Sequence, residues 1–197
     1  MVAKHPKVYL VRHGETEWTL SGQHTGGGTD IPLTERGRDQ ARGLRDGLTG
    51  HEFALVLSSP LSRAFDTCRL AGLGDQVQTT EDLLEWDYGE YDGRTTAEIR
   101  EQRPKWSVWA DGGPGGESAA EVGIRVDRVV QEARDADGDV VLFGHGHTLR
   151  VLTARWLGLT PADGRLFALE PATISALSFE RENPVISRWN DPAWHLP

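Results

Sequence analysis

Lys7-Val8-Tyr9-Leu10-Val11 is a short apolar run that ends in Arg12-His13-Gly14-Glu15-Thr16, and Val140-Val141-Leu142-Phe143 ends in the same manner in Gly144-His145-Gly146-His147. Short apolar runs bounded by turn residues read as buried strands. As neighbouring parallel strands they would bring His13 and His145 side by side at their carboxyl ends, where open α/β sheets bind ligands. An arginine beside one histidine suits an anion, and a second histidine suits transfer of a phosphoryl group.

Residues 14–33 carry many Gly and Thr and few apolar residues and read as a long loop, of the kind that is often functional. Thr34 then caps a helix with Glu35 in its first turn and Ala41, Leu44 and Leu48 along one face. Phe53 to Leu57 reads as another buried strand. Ser59 and Pro60 follow as a cap and a first helical residue, which puts Arg63 near the start of a helix rising from a strand's carboxyl end, a seat for an anion. Taken alone, Arg63 reads as a solvated surface residue; the company of Arg12 and His13 reverses that reading.

Residues 82–116 break the rhythm. Trp86, Tyr88, Tyr91, Trp106 and Trp109 are scattered there among glycines and acids around a short helix near 95–103. The segment reads as a cap over the site, and its tryptophans also as a satellite hydrophobic cluster. Ser118 and Glu121 make a capping box before a helix with Val122, Val126, Val129, Val130 and Ala133 on one face. A helix after Gly146 turns Leu149, Leu152 and Trp156 inward. Ile174–Phe179 and Val185–Trp189, separated by a turn containing Asn183-Pro184, predict an antiparallel hairpin at the sheet edge.

At 197 residues the chain is long enough to bury a core and is expected to form one domain over 1–197. Its single cysteine, Cys68, excludes an internal disulfide and reads as inert packing in a reducing compartment. Thirty acidic against twenty-one basic residues give a net charge of -9, which disfavours nucleic acid and anionic membranes as partners. Any phosphate must then be held by a local cationic pocket. The start, Met1-Val2-Ala3-Lys4-His5-Pro6, shows no apolar stretch of signal-peptide or membrane-spanning length, so a cytoplasmic location is expected. The sequence carries no signal for an oligomeric state.

Phosphoryl transfer needs charge around the phosphate oxygens, a nucleophile in line and a proton for the departing oxygen. Arg12 and Arg63 can chelate the oxygens, His13 can attack phosphorus as neutral imidazole, His145 can donate to the transferring group, and Glu85 can act as general acid. Glu117 stands as the next candidate for the proton donor.

In the order Arg12-His13-Gly14-Glu15-Thr16, Thr25-Gly26, Asp30-Ile31-Pro32-Leu33-Thr34, Ser58-Ser59-Pro60 through Arg63, Leu84-Glu85 through Tyr88-Gly89, Gly116-Glu117-Ser118 and Gly144-His145-Gly146, the chain resembles the histidine phosphatase superfamily, the phosphoglycerate mutase-like enzymes, over nearly its whole length. The resemblance implies an α/β fold, a three-layer α/β/α sandwich with a mostly parallel central sheet, to which the antiparallel C-terminal edge hairpin is added. It implies a phosphohistidine intermediate on His13, with Arg12, Arg63 and His145 completing the phosphate pocket, Glu85 as proton donor, and no metal or other cofactor. Thr19, Thr25, Gly26, Tyr88, Gly146 and His147 are the candidate substrate-binding residues. Thr19 stands where family members commonly have Asn, so a phosphate contact there falls to a hydroxyl or is absent. Gly26-Gly27-Gly28 carries one residue more than the usual short turn.

Mutases of this superfamily resemble one another in an Arg directly after the acid Glu, an Asn at the position of His147, and a long insertion with paired arginines. This chain has Trp86 and His147, and only fifty-nine residues lie between Glu85 and His145. Its motifs are similar to those of bacterial acid phosphatases and sedoheptulose-bisphosphatase-like members, which implies a phosphatase acting on sugar phosphates or a broad range of small phosphorylated metabolites. Three other readings remain at this level: a cofactor-dependent phosphoglycerate mutase, a metallophosphatase using His145, His147 and His13, and a non-catalytic module that binds a phosphorylated ligand.

Overall fold

A computed structural model describes residues 5–192; residues 1–4, on which part of the N-terminal reading rests, lie outside the described residues. In chain order the regular elements are β1 (Val8–Arg12), α1 (Glu17–Ser21), α2 (Glu35–Leu48), β2 (Leu55–Ser58), α3 (Ser62–Leu70), β3 (Gln78–Thr79), α4 (Thr96–Gln102), α5 (Val108–Asp111), α6 (Ala119–Asp135), β4 (Val140–Gly144), α7 (Gly146–Trp156), β5 (Ile174–Glu180) and β6 (Asn183–Asp191). The six strands form one sheet in the order β3-β2-β4-β1-β5-β6. The first four strands run parallel, and β5 and β6 are antiparallel additions on the β1 side.

Alternation along the central strands sorts the core into two faces. Val8, Leu10, Val140 and Leu142 pack with α6 and α7 residues such as Val126, Leu149 and Leu152, whereas Tyr9, Val11, Val141 and Phe143 pack with Leu44, Leu48 and Cys68 of α2 and α3. The chain therefore leaves β1 toward one face and β4 toward the other. A crevice opens between the carboxyl ends of these paired strands, with Arg12 in register with Gly144. The expected three-layer sandwich with an edge hairpin is the fold observed.

Several local details differ from the sequence reading. The loop over 14–33 contains α1, whose cap is reciprocal: Thr16 Oγ1 accepts from Thr19 N, and Thr19 Oγ1 accepts from Thr16 N. Strand β2 starts at Leu55, because Phe53 packs edge-on against the Tyr9 ring at 5.6 Å before the ladder begins. Helix α3 starts at Ser62, after Leu61, and Ser59 is not its cap. The turn into β6 is Arg181-Glu182, with Arg181 at φ 58, so Asn183 and Pro184 already belong to the strand. Pro184 lies opposite Phe179 on an edge strand, where a missing N–H is tolerated. The aromatic residues of 82–116 do not form a satellite cluster: Trp86, Tyr88, Tyr91 and Trp106 are buried in the same cluster as α6 and α7.

Ser118 and Glu121 form the capping box expected for α6, with Glu121 N donating to Ser118 Oγ and Ser118 N to Glu121 Oε2. Ser118→Ala should lower stability by about 1 kcal/mol, a fall of roughly 2–4 °C in a thermal melt for a domain of this size. An unchanged melt would mean that the box contributes nothing to holding this helix.

Candidate active site

The turn after β1 is fixed at both ends. His13 N donates to Gly144 O at 3.0 Å, and Gly14 N donates to Thr67 Oγ1 of α3 at 3.1 Å. The His13 ring puts Nδ1 2.7 Å from Gly14 O. A carbonyl only accepts, so Nδ1 carries the proton and Nε2 keeps a lone pair. Burial, then the Arg63 and Arg12 cations, push His13 well below the usual imidazole range, and the ring is neutral. Arg12 beside it donates through Nη1 to Leu169 O, while its Nε is buried without a partner.

Arg63 is 0% exposed, which disposes of the solvated reading. Its Nε donates to His145 Nδ1 at 3.2 Å, Nη1 to Thr29 O at 2.8 Å, and Nη2 to Thr25 O and Gly26 O at 3.3 and 3.4 Å. Thr25 and Gly26 thus meet Arg63 through their carbonyls. Because the guanidinium only donates, His145 Nδ1 must accept, and its Nε2–H then donates to Ser59 Oγ at 2.8 Å. The His145 and His13 rings lie 5.2 Å apart, as the strand pairing led one to expect. Both nitrogens of His145 are nevertheless spent on protein partners, so in this arrangement the ring positions Arg63. Ser59 enters the site by this bond. Its hydroxyl looked from sequence like a helix cap, and the same oxygen instead receives His145.

Glu85 is buried at the start of α7. Oε1 accepts from Trp86 N and Thr148 N, both at 2.9 Å, and Oε2 accepts from His147 N at 3.0 Å; the Thr148 hydroxyl, 3.1 Å from Oε1, gives its proton to Leu84 O at 2.6 Å. Burial favours the neutral acid, but His147 and the three backbone donors outweigh it and hold the carboxyl below its usual range. His147 is itself pushed down to about 3, chiefly by burial. The His147 ring meets the Tyr88 hydroxyl at 2.7 Å through Nδ1, and burial raises Tyr88 well above its usual value, leaving a neutral pair. Glu117 is committed elsewhere, in a two-point ion pair with Arg125 at 2.8 and 3.0 Å.

A cavity of about 200 Å³ is bounded by Arg12, His13, His24, Glu85, His147 and Arg150, and Arg63 is not among the residues that line it. Thr19, Thr25, Tyr88 and Gly146 also line it. Thr19 offers no free proton there: its hydroxyl donates to Thr16 O at 2.8 Å while accepting from Thr16 N. Within the long glycine turn, a β-carbon on Gly27 would stand 2.7 Å from Glu85 O, whereas one on Gly28 meets nothing within 4 Å. The extra residue therefore points into open space. His24 and Arg150 were not read from sequence. Arg150 follows Gly146 by one helical turn, and that periodicity was the available signal. Among the described residues no group of three or more His, Cys, Asp or Glu is placed to hold a metal ion. Cys68 is buried, with its thiol raised to about 12 by burial.

The profile of the histidine phosphatase superfamily (branch 1) matches residues 8–192. An acid phosphatase of Mycobacterium tuberculosis is 43% identical over 185 residues, covering 91% of this chain and 90% of that protein. Sedoheptulose 1,7-bisphosphatase of Saccharomyces cerevisiae is 35% identical over 188 residues, covering 78% of this chain and 68% of that protein. Phosphoglycerate mutases occur among the relatives as well. A solved structure of a Mycobacterium tuberculosis open reading frame product superimposes with TM-score 0.89 at 41% identity, covering 95% of this chain and 98% of that one.

The hydrogen bonds fix opposite tautomers on the two buried histidines. Nitrogen-detected NMR should find His13 protonated at Nδ1 and His145 at Nε2, both neutral at pH 6. An imidazolium at either position, or the reverse tautomers, would contradict the arrangement.

Proposed function

Because this chain belongs to branch 1 of the histidine phosphatase superfamily, we propose that it hydrolyses small phosphomonoesters through a phosphohistidine on His13, without a metal ion. The observation that carries the roles is the His13 ring: its Nδ1–H is spent on Gly14 O, which leaves Nε2 with a free lone pair, and Arg12, whose Nε has no protein partner, lines the same cavity. Sugar phosphates are the substrate class favoured by the sedoheptulose-bisphosphatase and acid-phosphatase relatives. Water as acceptor is favoured by Trp86, which occupies the place of a mutase arginine and is buried with its Nε1 donating to Glu117 O at 2.8 Å. The segment 82–116 serves as the cap, and Trp86 and Tyr88 within it set the position of His147. The net charge of -9 argues for small metabolites over nucleic acid or an anionic membrane as partners; a cytoplasmic location is part of this reading, and no described helix is long and apolar enough to cross a bilayer.

In the first step His13 Nε2 attacks phosphorus. The bond from phosphorus to the leaving oxygen breaks, its electron pair goes to that oxygen, and the oxygen takes a proton through Glu85. Arg12 and Arg63 hold the charge of the transferring group, with His145 and Ser59 positioning Arg63. Water then attacks phosphorus as the bond to His13 Nε2 breaks and its electron pair returns to the ring; Glu85 takes the water's proton and passes it to the phosphate, which leaves as the monoanion with His13 neutral and Glu85 a carboxylate again. His13→Ala should abolish turnover while the melt is unchanged, and acid-quenched wild type should carry acid-labile phosphate on His13. Phosphate trapped on another residue, or on none, would overturn the scheme.

Glu85 is a carboxylate in the free site, so the proton it passes on enters with the substrate as the ester monoanion. The second ionisation of a phosphate ester lies at about pH 6. For a poor leaving group such as glycerol, kcat/KM should therefore rise as pH falls through about 6, and decline only where Glu85 itself protonates, below the usual carboxylate range. Glu85→Gln should depress glycerol phosphate hydrolysis far more than p-nitrophenyl phosphate hydrolysis, because nitrophenolate leaves without a proton. Equal losses on both substrates would make Glu85 a structural residue.

A further inference from the structure

Glu85, to which the proton relay is assigned, belongs to a stretch of chain that no regular element supports. Residues 84–88 lie between two single turns of helix, Glu81–Leu83 and Gly89–Tyr91, outside every strand and α-helix. The amides of α7 fix the carboxylate itself. They can do so only if the backbone that bears it is held at the right distance, and that restraint has to come from elsewhere.

Arg125 of α6 supplies it. Its side chain is 11% exposed, and a guanidinium has five N–H groups to satisfy. Nη1 donates to Asp82 O at 3.0 Å and to Leu84 O at 2.8 Å, Nη2 to Glu117 Oε2 at 3.0 Å and to Thr148 Oγ1 at 3.4 Å, and Nε to Glu117 Oε1 at 2.8 Å. No donor is left over. Glu117 in turn grips the chain on the far side of Glu85: its Oε2 accepts from Asp87 N at 2.9 Å, its N donates to Asp87 O at 2.9 Å, and its O accepts from Trp86 Nε1 at 2.8 Å. This close approach requires glycine at 116, where a β-carbon would stand 2.3 Å from Asp87 O. Leu84 O also receives the Thr148 hydroxyl at 2.6 Å, and Thr148 N is one of the donors to the Glu85 carboxylate. The peptides on either side of Glu85 and the helical turn that binds its carboxylate thus meet at one ion pair.

We propose that Arg125, braced by Glu117, is a positioning residue that holds Glu85 within reach of the leaving oxygen. This rests on the relay role proposed for Glu85 and deepens it. Neither Arg125 nor Glu117 lines the catalytic cavity, so both act through the backbone of 82–87. An ion pair that served only to fasten the start of α6 would be complete with the two bonds between Arg125 and Glu117. The other three donors of Arg125 go to Asp82, Leu84 and Thr148, which precede Glu85 in the chain or bind its carboxylate. Lysine could not replace this pattern, because its three donors sit on one atom and form no fork. The phosphate seat is independent of the brace, since the bonds of Arg12, His13 and Arg63 go to other partners. Loosening the brace therefore displaces the proton relay and leaves the nucleophile and the arginines of the seat in place. A shift of about 1 Å in a catalytic group can cost about a hundredfold in rate.

The test compares kcat/KM for glycerol phosphate and p-nitrophenyl phosphate, of which only the first needs a proton on its leaving oxygen. Arg125→Met should lower the value for glycerol phosphate by roughly tenfold to a hundredfold and leave p-nitrophenyl phosphate within about threefold of wild type. Arg125→Lys should recover only part of the loss. Glu117→Gln, nearly isosteric, should move the ratio of the two substrates in the same direction, and it decides where Arg125→Met folds poorly. In a Glu85→Gln background Arg125→Met should add no further discrimination between the substrates, because the two residues act as one unit. Equal losses on both substrates in Arg125→Met and Glu117→Gln, or full additivity in the double variant, overturns the positioning role. Glu85→Gln alone separates the two readings: a selective loss there without one in the brace variants refutes the brace and leaves the relay standing, whereas an equal loss there removes the relay and the brace with it.

Discussion

The site depends on keeping the Arg63 guanidinium charged and out of water. Burying an unpaired arginine is expensive, and the nearest carboxylate, Asp30, is only within 3.9 Å of Nη1 and half exposed. The charge is solvated instead by the carbonyls of Thr25, Gly26 and Thr29 and by the His145 ring. That solution constrains much of the molecule. The 25–29 loop must present its carbonyls inward, and Asp92 holds it there by accepting from Gly26 N at 2.7 Å and from the Thr29 hydroxyl. His145 must stay neutral and accept at Nδ1, which obliges Ser59 to take its other proton. A loop, a strand end and a helix start are thus tied to one cation, whose nearest carboxylate stays 3.9 Å away.

A second constraint runs in the opposite sense. The Glu85 carboxylate, carried by the segment before α4, sits against the N-terminal turn of α7, where backbone N–H groups favour negative charge. The same amides that fix the carboxylate in space deprive it of the proton a general acid needs. Oε1 accepts from two backbone donors, Trp86 N and Thr148 N, while Oε2 has a single donor, His147 N, and a lone pair to spare. A carboxylate so held suits the relay role proposed for it, taking a proton from one oxygen and giving it to another. The neutral His13 and His145 fit the same logic, since an imidazolium at either place would compete with the substrate for the pocket's few negative charges.

Legibility in the sequence followed the range of the interactions. The Thr34 cap, the Ser118-Glu121 box and the pairing of the two His-bearing strands are set by local pattern or by burial of short apolar runs, and each is present in the fold. What sequence did not reveal was which of several partners a polar side chain would choose. Ser59 had a helix start within reach but bonds His145, 86 residues away. Thr19 could have reached for phosphate but caps α1 with Thr16. Arg150 was hidden for the same reason, because its orientation comes from the carbonyls of Gly164 and Arg165 and the face of Trp109, none of them readable from its own helix. In the hairpin, Arg181 takes the left-handed conformation next to the more obvious turn former, Asn183-Pro184, which edge position allows to stay in the strand.

The cap is continuous with the core, and this bears on how selectivity is built. Trp86, Tyr88, Tyr91 and Trp106 share one buried cluster with α6 and α7, and the indoles of Trp86 and Trp106 are pinned to the carbonyls of Glu117 and Gly112 at 2.8 Å. The Tyr88 hydroxyl fixes His147, and Trp109 supports Arg150 from below. Side chains held in this manner lose little entropy when a ligand arrives, so the rim discriminates by a preformed arrangement of charge and shape. One face of α7 joins these parts: its first turn holds the Glu85 carboxylate through the amides of His147 and Thr148, and its second presents Arg150 to the same cavity.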